Sequence, residues 1–74
     1  MHEFPHIKPI RVLKALQRAG FYVDHITGSH YILYRDDRHV PVSVPRHNRD
    51  MKIGTLKGIL KQSGMTLKRF KEFL

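Results

Sequence analysis

The sequence predicts an α+β domain in which a three-stranded antiparallel sheet is flanked by helices. Three observations predict it. One stretch of helical periodicity precedes, and another follows, a central block rich in aromatic and β-branched residues. Two polar turns, Gly28-Ser29 and Asp36-Asp37, cut that block into pieces of strand length. Connections this short favour an antiparallel meander over crossover pairing. A chain of 74 residues has room for one domain, expected over 1–74 with its core at about 8–64.

The first helix is expected from Pro9 to Ala19. Ile10, Leu13 and Leu16 recur at helical spacing with Val12 and Ala19 beside them, while Arg11, Lys14, Gln17 and Arg18 face water. Pro9 suits the first turn, where its missing N–H is not needed, and Gly20 suits the left-handed position that closes a helix. Strands are expected at Phe21–Thr27, His30–Arg35 and His39–Val44. In the third, Val40, Val42 and Val44 share one face, and Pro41 and Pro45, which cannot donate to a ladder, place it at an edge or end it abruptly. In the second, alternation separates His30, Ile32 and Tyr34 from Tyr31 and Leu33, and pattern alone does not say which set is buried. A second helix runs from Met51 to Ser63, with Asp50 as its cap, Ile53, Leu56, Ile59 and Leu60 on its buried stripe, and Gly64 as its stop. Thr66 is placed to cap a last short helix within 65–74 whose Leu67, Phe70 and Phe73 or Leu74 turn inward. Helices on one sheet face leave the other exposed.

Composition narrows the function classes. There is no cysteine, which excludes disulfides and a thiolate acting as nucleophile or soft metal ligand. Met1 to Pro9 lacks the apolar run of a signal peptide, and no later segment is long and apolar enough for a bilayer, so a cytoplasmic location without membrane contact is expected. Fourteen Lys and Arg against six Asp and Glu give a net charge of +8. That much like charge on so small a surface calls for a polyanionic partner, nucleic acid first and an acidic protein second.

Six histidines invite a metal or catalytic reading. His2 and His6 are four apart but precede Pro9, His25 and His30 flank a strand break, and no carboxylate cluster completes a site, so neither metal nor cofactor is expected. His30 stands out because it follows Gly28-Ser29 at the mouth of a strand, although position alone favours a surface or structural histidine. A second feature is Val44-Pro45-Arg46-His47 leading to Lys52-Ile53-Gly54-Thr55. Arg46, Arg49 and Lys52 surround a helix start, where free N–H groups and the dipole favour an anion. Gly54 would let a phosphate approach the backbone and the Thr55 hydroxyl would add a donor, the plain alternative being an ordinary helix start. The third feature is a basic stripe, Lys57 and Lys61 extended by Lys68, Arg69 and Lys71, suited to neutralising phosphates. Tyr22, Tyr31 and Tyr34 offer stacking faces for unpaired bases, or else simple packing.

Three of these elements, in order and at this spacing, resemble the HicA toxin family, also described as YcfA-like. They are the aromatic strand ending Thr27-Gly28-Ser29-His30, the stretch Val42-Ser43-Val44-Pro45-Arg46-His47, and the helix Gly54-Thr55-Leu56-Lys57-Gly58-Ile59-Leu60-Lys61-Gln62-Ser63-Gly64. The resemblance covers about residues 8–64. It implies a fold like double-stranded-RNA-binding domains and a type II toxin that cleaves mRNA without a metal and blocks translation. It also implies an acidic HicB-type antitoxin that covers the active site. The family's catalytic histidine falls on His30, beside Ser29. The sequence departs from the family at Arg35-Asp36-Asp37-Arg38-His39, where a Pro-Asp-Gly turn is frequent, and at Ile53, where a proline is.

RNA carries its own nucleophile, the 2′-hydroxyl, so an enzyme need only move protons and stabilise the crowded phosphate. Histidine suits both transfers because its unperturbed pKa of about 6.5 lies near working pH. On this reading His30 is the general base or acid and His47 a candidate second proton carrier. Ser29, Arg46, Lys52, Gly54, Thr55, Lys57 and Lys61 then hold RNA. Two rivals use the same surface: a non-catalytic RNA-binding module, and a protein that only docks an acidic partner.

Overall fold

The computed structural model describes residues 4–74, so His2 lies outside the described residues. The order is α1 (Pro9–Arg18), β1 (Tyr22–Ile26), β2 (His30–Arg35), β3 (Arg38–Pro45), α2 (Ile53–Ser63) and α3 (Leu67–Lys71). The strands form one antiparallel sheet ordered β1-β2-β3. This is the expected α+β layout of double-stranded-RNA-binding-like domains with a short helix appended. No helix among the described residues is long and apolar enough to cross a membrane.

The sheet settles the face that alternation left open. Val23 pairs with Leu33, Leu33 with Val42 and Tyr31 with Val44, and Leu33, Val42 and Val44 are fully buried against the helices. His30, Ile32 and Tyr34 therefore point to the opposite face. Val40, expected to share the face of Val42 and Val44, is 49% exposed and lies outside the apolar cluster.

Register also explains the prolines of β3. His30 stands opposite Pro45 and Ile32 opposite Ser43, and the Arg46 amide donates to the Ser29 carbonyl at 2.8 Å. This phase turns the nitrogens of residues 41, 43 and 45 toward the free edge. Pro41 and Pro45 have no N–H to leave unpaired there, and the Ser43 amide donates to Gln62 Oε1 of α2 at 3.1 Å.

Helix α1 buries Pro9, Val12, Leu13, Ala15 and Leu16. Ile10, expected on that stripe, is 48% exposed. At 3.6 residues per turn a stripe centred on Pro9, Val12, Leu13 and Leu16 leaves residue 10 beyond its rim. Helix α2 buries Leu56, Ile59, Leu60 and Ser63, with Ile53 half-buried. Asp50 does not cap it. Met51 is buried and its amide donates to the Ile7 carbonyl at 2.7 Å, so the chain stays extended through Lys52, which caps with backbone alone. Gly64 ends α2 at φ +73°. Thr66 does cap α3, accepting from the Arg69 amide at 3.1 Å, and Phe70 fills the centre of the core.

Candidate active site

The β1–β2 turn is built by Thr27. Its amide donates to the His30 carbonyl at 2.9 Å, and its hydroxyl accepts from the His30 amide at 3.1 Å. Four residues are thereby closed into a rigid loop with Gly28 and Ser29 at the tip. Thr27 was not singled out by sequence reasoning, although a hydroxyl residue three before the end of a turn is the recognisable signal for such a clamp. The Arg46 amide ties this tip to the end of β3.

His30 leaves the loop half-buried. Its Nδ1 lies 2.8 Å from Ser29 Oγ. A serine hydroxyl both donates and accepts, so it serves the ring in either tautomer and in the protonated state, and Nε2 stays available. The side chain lines a groove of about 400 Å³ with Ser43, Pro45, His47, Arg49, Asp50, Lys52 and Thr55. The groove lies between the end of β3 and the start of α2. It unites His30, His47, Lys52 and Thr55 from the expected set, together with Arg49. Ser43 and Asp50, not expected there, join them because β3 and the extended 50–52 segment form its walls.

The start of α2 suits an anion. There is no side-chain cap and no acidic residue in the first turn, so its first amides and the positive end of the helix dipole are not answered from within. Lys52 and Thr55 stand at that end, and Gly54 is exposed, a Cβ there meeting nothing within 4 Å. His47 Nδ1 accepts from the Arg49 amide at 3.2 Å, which fixes the proton of its neutral ring on Nε2.

Other expected residues lie apart. Arg46 does not line this groove. Its guanidinium sits 5.4 Å from the centre of the Tyr31 ring and Nη1 reaches the Gly28 carbonyl at 3.5 Å, in a neighbouring cleft with Pro9 and Ile10. Lys57 on α2 lies over the Phe4 ring at 5.2 Å, and Lys61 is exposed on the same helix. Among the described residues no three His, Cys, Asp or Glu side chains gather as a metal site.

The family model described as HicA toxin of bacterial toxin-antitoxin matches residues 11–65. No match is found among curated proteins.

Proposed function

The chain belongs to the HicA toxin family of bacterial toxin–antitoxin systems, and on that premise we propose that it is a metal-independent endoribonuclease that cleaves mRNA and blocks translation. The observation that carries this reading is a histidine with one ring nitrogen held by Ser29, in a groove that also holds Arg49, Lys52, Thr55 and an uncapped helix start. In the reaction the RNA 2′-oxygen attacks the adjacent phosphorus. His30 takes the 2′-proton or gives one to the departing 5′-oxygen, and a P–O bond forms as another breaks. Lys52, Thr55 and the first amides of α2 stabilise the charge that develops on the phosphate oxygens. His47 serves as second proton carrier when its Nδ1 releases the Arg49 amide, and Lys57 and Lys61 hold flanking phosphates. The proposed setting is the cytoplasm, with no cofactor. The neutralising partner is an acidic HicB-type antitoxin, drawn to the +8 surface and covering the groove.

The test is induced expression of the wild type beside His30→Ala in a bacterial host, with total RNA followed over time. Growth arrest and mRNA loss with the wild type alone are expected, while the variant still folds and binds antitoxin. Cleavage by the purified protein survives excess EDTA. A fully toxic His30→Ala protein, or activity lost on chelation, refutes this mechanism.

A further inference from the structure

The cleft that holds Arg46 is not used by the mechanism, and it is larger than the groove, about 640 Å³ against about 400 Å³. Pro9 and Ile10 of α1 form one wall, Tyr31 and Pro45 another, and Gly28, Arg46, His47 and Asn48 complete it. Pro45 and His47 line both clefts. A chain whose phosphate lies in the groove thus has its neighbouring nucleotide at the mouth of the larger cleft.

The lining points to a base more than to a second phosphate. Its lining is mixed, Pro9, Ile10 and Pro45 apolar beside Arg46, His47 and Asn48, and Ile10 stands 48% exposed there on a helix that buries its other large apolar residues. Its planar groups include the Tyr31 ring, the Arg46 guanidinium and the His47 imidazole, and Asn48 offers both a donor and an acceptor. Arg46 is exposed and its 3.5 Å hydrogen bond to Gly28 is at the outer limit of such contacts, so the face of its guanidinium turned away from the Tyr31 ring can stack on an incoming base. Unpaired bases in RNA are recognised in this way, by aromatic and guanidinium planes with hydrogen bonds at their edges. The net charge of +8 draws a polyanion to the protein, and Arg46, Arg49 and Lys52 stand at the two clefts.

We propose that this cleft is a nucleobase subsite, in which Tyr31 and Arg46 stack on the base of a nucleotide next to the scissile phosphate. The proposal rests on the ribonuclease reading, but its test does not need cleavage. The probes are single-stranded RNA hexanucleotides blocked by a 2′-O-methyl group at the central position. One is intact, and two carry an abasic residue on one or other side of that position. Affinity is read by fluorescence anisotropy at low salt. Base stacking contributes about 1–3 kcal/mol, so the wild type should lose about fivefold or more in affinity when one of the two flanking bases is removed. Arg46→Lys keeps the charge and loses the plane, and should bind the intact and abasic probes alike. Tyr31→Leu should behave the same way. So should Ile10→Ala, in part, which is exposed on a helix and safe for the fold. Equal binding of all probes by the wild type overturns the subsite and leaves the ribonuclease reading standing. Variants that bind RNA normally but lose antitoxin make the cleft a protein contact and overturn it too. A wild type that binds none of the probes fails both readings.

Discussion

Two glycines of the α2 region should respond to the same substitution with opposite signs. Gly64 closes the helix at φ +73°, and a Cβ built there lies 2.5 Å from Arg38 Nη1 and 2.9 Å from its Cζ. The left-handed conformation costs an L-residue about 1–2 kcal/mol. The guanidinium must also move, although Nη2 donates to the Gln62 carbonyl at 3.1 Å, and losing that bond costs about 1 kcal/mol. Gly64→Ala should therefore destabilise by about 2–3 kcal/mol. At about 4–8 °C per kcal/mol for a domain this small, Tm falls by roughly 8–24 °C. Gly58 lies within α2, exposed, with nothing within 4 Å of its Cβ position. Gly58→Ala should stabilise by about 0.5–1 kcal/mol through helix propensity, raising Tm by roughly 2–8 °C. Thermal melts followed by far-ultraviolet circular dichroism measure both. In Arg38→Met the Gly64→Ala penalty should shrink toward its backbone part. A Gly64→Ala protein that melts with the wild type, or a Gly58→Ala protein that falls with it, refutes the reasoning.

Ser29→Ala removes the partner of His30 Nδ1 and nothing from the core, so cleavage should slow about 3–10-fold, the equivalent of one ordinary hydrogen bond, with Tm unchanged. A rate equal to wild type would mean that the serine does not orient the ring. Replacing Lys57 and Lys61 together should flatten the dependence of log Kd on log salt by about 1–2 units, measured by RNA titration from low to moderate salt. An unchanged slope would take both lysines out of the RNA path. The Arg35 side chain, hydrogen-bonded to Asp37, lowers that carboxyl below its ordinary value of 3.8. A lowered folded value stabilises fully above the unfolded one and is lost as pH falls through the folded one. Arg35→Gln should thus raise the Asp37 midpoint in a carboxyl-carbon titration by nuclear magnetic resonance. An unmoved midpoint would remove Arg35 as the cause.

What could be read beforehand was what local chemistry decides. Pro9, Gly64 and Thr66 mark helix ends through single-residue backbone physics, and all three stand where that physics puts them. The prolines of β3 left it at an edge or cut short, and the sheet order puts it at the edge. The face on which His30 lies was not legible, because β2 alternates between two sets that are both apolar enough to be buried. Only pairing with Val42 and Val44 decides it. Asp50 looked like a cap because it precedes a helical run, but a tertiary bond from Met51 to Ile7 holds the chain extended past it. The grouping of His30 with Lys52 and Thr55 is likewise tertiary, and so is the separation of Arg46 from them. Both depend on how the end of β3 meets the turn.

The same edge constrains how a partner can neutralise the groove. An exposed strand invites a second chain to pair with it, and strand addition would be the simplest way to cover His30 from the side of β3. That route is closed by the register. Residues 41, 43 and 45 face outward, two of them are prolines and the amide of the third is bound to Gln62. A partner reaching this side meets carbonyls without the donors that a ladder requires. The opposite edge, β1, is short and its pairing with β2 is irregular between Val23 and His25. It also lies beyond β2 from the groove. An antitoxin that silences the proposed chemistry therefore covers the groove by a route other than strand addition. An acidic residue set against Arg49, Lys52 and the open start of α2 would occupy the place of the phosphate.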